Sequence, residues 1–142
     1  MANVYNRGKL VMTDGTVDWD GATALGVILV TSTYVYNADH NFVSDLTNEL
    51  AGGGYARQTL AGRTQVEDDV NDRIEFDATD TTFPTLGAAA GNPAHAIVYD
   101  NTTGLDTTRD LICMVTLTAP PVPNGGDYTI QWDATGVLTL GE

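Results

Sequence analysis

The amino-acid sequence predicts a mainly β fold, a β-sandwich or related two-layer β structure with one or two short helices, in a single domain over residues 1–142. Three observations predict it. Short apolar runs rich in β-branched residues recur at 24–31, 96–99 and 111–118. Stretches in which large and polar residues alternate occur at 74–77 and 128–132. Turn residues (Gly, Pro, Asp) punctuate both kinds of segment at short intervals, which suits roughly seven short strands.

Residues 3–12 are ambiguous. Val4, Gly8 and Val11 fall on one helical face, while Lys9-Leu10-Val11-Met12 could equally be extended, and a short helix is the preferred reading. Thr13-Asp14-Gly15-Thr16 is a turn. Ala24-Leu25-Gly26-Val27-Ile28-Leu29-Val30-Thr31 then reads as a central strand buried on both faces. Between positions 39 and 50, Phe42, Leu46 and Leu50 recur every four residues behind Asp39 at an N-cap position, which predicts a helix. Gly52-Gly53-Gly54 would be its flexible exit.

Ile74 and Phe76 alternate with Glu75 and Asp77 as a half-exposed strand. Phe83-Pro84 marks an edge or turn, because proline cannot donate to a sheet ladder. Ala96-Ile97-Val98-Tyr99 is a further strand. From 111 to 118 the odd positions Leu111, Cys113, Val115 and Leu117 form one apolar face, with Ile112 and Met114 on the other. Pro120, Pro121 and Pro123 form a stiff connector. Tyr128, Ile130 and Trp132 then alternate with polar residues, Asp133-Ala134-Thr135-Gly136 turns, and Val137-Leu138-Thr139-Leu140 returns, so the chain is expected to close on a hairpin.

A chain of 142 residues buries roughly two-thirds of its unfolded surface without staples. No apolar run approaches the ~18 residues of a membrane span, and the first eight residues lack the apolar core of a secretion signal. The expectation is a soluble protein made in a cytoplasm. Six Lys and Arg against nineteen Asp and Glu give a formal charge of −13, which repels polyanions and sets aside nucleic acid and anionic membranes as partners. It suits solubility, or contact with a basic protein.

No residue pattern commits to chemistry. Residues 67–80 hold seven acidic residues in fourteen but lack the register of a helix-loop-helix calcium site, leaving a solvated acidic loop or an irregular cation site. His40 and His95 stand far apart without Cys pairs or a His-x-x-x-His spacing. Ser32 and Ser44, the only serines, lie in no nucleophile elbow. Cys113, the single cysteine, excludes an internal disulfide and sits mid-strand as core filling. The Gly52-Gly53-Gly54 run follows no strand and leads to no Gly-Lys-Ser/Thr phosphate cradle. Trp19, Tyr34, Tyr36 and Trp132 could stack on a sugar, and edge packing or a subunit interface explains them equally well. The sequence thus predicts no catalytic, cofactor-binding or metal residues, no cofactor and no enzymatic activity.

Taken in order, Asp18-Trp19, Val27-Ile28-Leu29-Val30, Tyr34-Val35-Tyr36, His40-Asn41-Phe42, Thr82-Phe83-Pro84, Ile97-Val98-Tyr99-Asp100, Leu111-Ile112 and Asn124-Gly125-Gly126-Asp127 with Trp132 resemble a family of small virion structural proteins of tailed bacteriophages. The resemblance runs over nearly the full chain, and its most specific piece is the closing Gly-Gly-Asp, alternating strand and Trp. It implies a mainly β virion component. Within that family the favoured role is a capsid decoration (cement) protein, a homotrimer on the outside of the head that binds the major capsid protein. The alternative it leaves open is a tail, neck or fibre component with a host-glycan surface. The family carries no catalytic motif to transfer.

Overall fold

The computed structural model describes residues 2–141. Along the chain come β1 (Ala2–Val4), α1 (Asn6–Thr13), β2 (Leu25–Val30), β3 (Gln58–Thr59), β4 (Thr64–Asp68), β5 (Arg73–Asp77), β6 (Thr81–Phe83), β7 (His95–Asp100), β8 (Leu111–Thr116), β9 (Tyr128–Ile130) and β10 (Leu138–Gly141). Isolated 3-10 turns stand at Val43–Asp45 and Ala88–Ala90. The fold is mainly β, as the patterning predicts, with ten strands among the described residues in place of about seven. The additional strands are only two to five residues long.

The three longest apolar runs form the centre of an antiparallel sheet ordered β1-β8-β7-β2-β3. Both faces are covered, so these strands read as continuous apolar runs instead of alternating ones. Leu25, Val27 and Leu29 of β2, with Ala96 and Val98 of β7, face one core cluster, while Ile28, Val30, Ile97 and Tyr99 face the other. A three-stranded sheet, β10-β5-β4, adds Phe76 and Leu138 to the first cluster, and the β6-β9 pair adds Phe83 and Ile130. Tyr5, Tyr34, Val43 and the half-buried Tyr36 and Leu46 cover the opposite face.

The preferred helix near the N-terminus is present as α1, preceded by a strand that pairs with β8. Its Gly8 rests on the β8 backbone, where any Cβ would overlap the Ile112 carbonyl. That contact depends on an irregularity the alternation of residues 111–118 did not reveal. Val98 pairs with Cys113 but Tyr99 pairs with Leu111, so Ile112 is an extra residue, a β-bulge. The bulge puts Ile112 and Cys113 in the same cluster and sends Leu111 to the other, correcting the single odd-numbered face. The Ile112 carbonyl accepts the Tyr5 N–H at 3.0 Å.

Three further expectations are overturned. Residues 39–50 do not form a helix: beyond the 3-10 turn at Val43–Asp45 the segment is irregular, with Asn48 at φ 62°. Its backbone bonds outward, Val43 N–H to Arg109 O, Ser44 N–H to Asp106 O and Leu50 N–H to Leu29 O, and these tertiary partners replace the i to i−4 ladder. Gly52, Gly53 and Gly54 consequently exit no helix. All three have positive φ, and a Cβ on Gly53 would lie 2.5 Å from the Ala90 nitrogen, so this is a close backbone packing site against the 85–90 segment.

The closing hairpin is also absent. The turn forms, with the Gly136 N–H donating to Asp133 O at 2.8 Å, but its arms join different sheets. β9 pairs with β6 through Thr81↔Ile130 and Phe83↔Tyr128, and β10 pairs with β5 through Leu138↔Phe76. The Asn124-Gly125-Gly126-Asp127 stretch is bolted to the chain ahead of β9's partner loop: Leu86 and Gly125–Gly126 exchange two backbone bonds, and the Thr85 N–H donates to the Asp127 carboxylate.

Candidate functional site

The residues that sequence patterning raised for chemistry are dispersed by the fold. Cys113 is fully buried in β8, and burial pushes its thiol up to about 12, which leaves it core filling. Ser32 and Ser44 are exposed. His95 meets only the Thr116 hydroxyl at 3.2 Å, and burial lowers its pKa. Among the described residues no three His, Cys, Asp or Glu side chains converge to hold a metal ion.

The aromatic residues form no stacking platform. Trp19 is 2% exposed and donates its indole N–H to Asp77 O at 3.0 Å. Tyr34 is 3% exposed and takes part in a hydrogen-bonded chain, Tyr5 Oη to Tyr34 Oη at 2.9 Å and Tyr34 Oη to His40 Nδ1 at 3.0 Å. Burial, then the Tyr34 contact, raises the Tyr5 pKa. The Tyr36 hydroxyl donates to Val4 O, and the Trp132 indole N–H to Thr79 O, so all four rings pin the fold.

One cluster carried no sequence signal. Arg57 forms two-pronged pairs with Glu49 and Asp106, all four bonds between 2.8 and 3.0 Å, and Arg109 bonds Asp106 at 2.9 Å. Both guanidinium groups lie 5.7–5.8 Å from the Tyr99 ring centroid. The Arg57 bonds, helped by the Arg109 bond and opposed by burial, lower the Asp106 pKa to about 2. Its members stand at 49, 57, 99, 106 and 109, on segments that only the folded chain brings together. Every charge in it has a partner, so it ties loops to the sheet and offers no free group to a substrate.

A cleft of about 640 Å³ opens where the three sheets meet, between the end of β8, the proline connector, β9 and β10. Thr116, Thr129, Gln131 and Thr139 line it, with Arg73 and Asp133 its only charged residues among the described ones. Arg73 is paired with Asp68 and Glu75, and Asp133 accepts from the Thr135 N–H and hydroxyl.

The remaining feature is the acidic β4-β5 arm. Its strands pair from Thr64↔Asp77 to Asp68↔Arg73 without interruption, and residues 69–72 make the turn. Asp68 organises that turn, accepting from the Asn71 side chain at 2.7 Å, from the Val70 and Asn71 N–H groups, and from Arg73. These contacts, the Asn71 side chain first, lower its pKa, so the seven-in-fourteen stretch builds a hairpin here. Residues 64–77 hold six acidic residues against one Arg. Thr64, Gln65, Val66 and Glu67 are exposed, and among the described residues β4 has no strand on its second edge. An open, acidic sheet edge is an arrangement suited to contact with a basic protein surface.

Compared with known proteins, the chain matches no family model, no curated protein and no solved structure.

Proposed function

We propose that this chain is a structural component of a tailed-phage virion, a decoration (cement) protein that binds the outer face of the assembled major capsid shell as a homotrimer. The observation that carries this reading is the acidic β4-β5 arm: an exposed sheet edge, on an arm whose two strands and turn hold six carboxylates against one Arg, is a surface for a basic protein partner. The residues of the sequence resemblance support it in a second way, because they are committed to architecture. Trp19, Tyr34, Phe83 and Tyr99 are buried, and Asp127 and Trp132 tie distant segments through backbone bonds.

A shell under internal pressure is held together by contacts that bridge its subunits. Three linked copies of a small domain, each making one modest contact, gain avidity that a single copy lacks. A net charge of −13 keeps many copies apart in solution before they meet the shell.

The experiment is to mix the purified protein with shells assembled from the major capsid protein of the phage that encodes it. Co-sedimentation with the shells, raised shell resistance to heat, and a light-scattering mass of three chains are the expected results. A monomer that stays in the supernatant overturns the reading.

A further inference from the structure

We propose that the open edge of β4 is a docking strand: an extended segment of the shell protein, with Lys or Arg beside β-branched residues, pairs with Thr64–Asp68 and becomes the fourth strand of the β10-β5-β4 sheet. The inference rests on the reading of the chain as a shell-binding protein and names the part of that partner which is recognised.

An unpaired strand edge presents a row of N–H and C=O groups that a second strand can satisfy, and proteins blunt such edges with Pro, Lys, bulges or very short strands. β4 has no Pro, Lys or bulge, and the charges it does carry, Glu67 and Asp68, are acidic, so they guard the edge against an acidic strand and not against a basic one. At five residues it is the longest edge strand among the described residues, the others being two to four. Its sequence, Thr-Gln-Val-Glu-Asp, contains no Pro, Gly or Lys, and its register with β5 is unbroken. Outside that ladder, the backbone of Thr64–Asp68 makes a single bond to other backbone, the Asp68 carbonyl accepting from the Asn71 N–H within the turn.

Charge selects the occupant. Arg73 is engaged by Asp68 and Glu75, and among the described residues no cation pairs with Glu67, Asp69 or Asp72. Three carboxylates beside the open edge favour an incoming strand that carries positive charge, and they disfavour the edge of a second copy bearing the same three. Val66, 55% exposed at the middle of the strand, supplies the apolar cross-strand contact that a β-branched residue would cover. This is strand addition, in which main-chain bonds give affinity and alternate side chains give selectivity.

The test combines edge-proline variants with hydrogen exchange on the shell-bound protein. Successive N–H groups along a strand point to opposite edges, so of Gln65→Pro and Val66→Pro one disturbs the β5 ladder and the other only the open edge. The edge variant is the one that keeps the wild-type melting transition. Expected are slowed exchange in Thr64–Asp68 when wild type binds undecorated shells, shell affinity at least tenfold weaker for the edge variant, and weaker, less salt-dependent binding for Glu67→Lys/Asp69→Lys. Wild-type affinity of the edge variant, with β4 exchanging as in the free protein, overturns the docking strand and leaves the shell reading standing. β4 protection in the free protein at a two-chain mass assigns the edge to a second copy and also overturns it. Failure of wild type to bind shells removes both.

Discussion

The Tyr99 ring lies across its cross-strand partner Gly26, so closely that a Cβ at position 26 would sit 2.6 Å from the ring. This explains a glycine inside an otherwise apolar central strand: the strand leaves room for the aromatic ring, and the Arg57 and Arg109 guanidinium groups lie 5.7 and 5.8 Å from that ring's centroid. Gly26→Ala forces the ring to move within a packed site and is expected to destabilise the fold by about 1–3 kcal/mol. Thermal unfolding of the variant measures it, and an unchanged melting temperature contradicts the packing described.

The closing strand is held by β5, so its loss is felt in the core. Leu138 is buried opposite Phe76, and Leu138→Ala is expected to cost about 2–5 kcal/mol. Removing residues 137–142 takes away the whole strand and uncovers Phe76, and such a chain is expected to lose its cooperative melting transition. Trp19 packs edge-on against Phe76 with ring centroids 5.5 Å apart, so tryptophan fluorescence reports the loss of this part of the core.

Asp106 gives the Arg57 network a pH dependence. Its folded pKa, lowered to about 2 by the Arg57 and Arg109 bonds, lies below the ordinary 3.8. The stabilisation is therefore complete above about pH 4 and is lost as pH falls through the interval between 3.8 and 2. Because the carboxylate is 41% exposed, screening limits the effect to about 1 kcal/mol or less. Denaturant titrations of wild type and Asp106→Asn from pH 7 to pH 2 are expected to converge at the acid end. A constant gap between the two curves contradicts the assignment.

Cys113 is expected to resist thiol reagents in the folded protein and to react fully in denaturant, since its thiol is completely buried and its pKa is pushed up to about 12. Labelling kinetics with and without guanidinium check this, and fast labelling of the native chain overturns it.

The elements legible in the sequence were those whose burial is written locally. β2, β7 and β8 lie between two core clusters, so their central positions are apolar and the run announces itself. The four-residue spacing of Phe42, Leu46 and Leu50 misled because the backbone bonds of the segment, Val43 to Arg109, Ser44 to Asp106 and Leu50 to Leu29, reach far along the chain. The closing segment misled in the same way. Its turn is local and was readable, whereas the pairing of β9 with β6 and β10 with β5 depends on strands more than forty residues earlier. The Ile112 bulge left no mark in a run that is apolar throughout. The open edge of β4 was equally invisible, since the alternation of a strand says nothing about how many neighbours it has.

The central claim is attachment to the outside of a capsid shell. Cryo-electron microscopy of shells assembled from the major capsid protein of the phage that encodes it, with and without this chain added, tests it most directly. The account predicts added density on the outer surface, three copies at each site, with the β4-β5 arm against the shell. Shells without added density, or density on whole virions confined to the tail or neck, would contradict it.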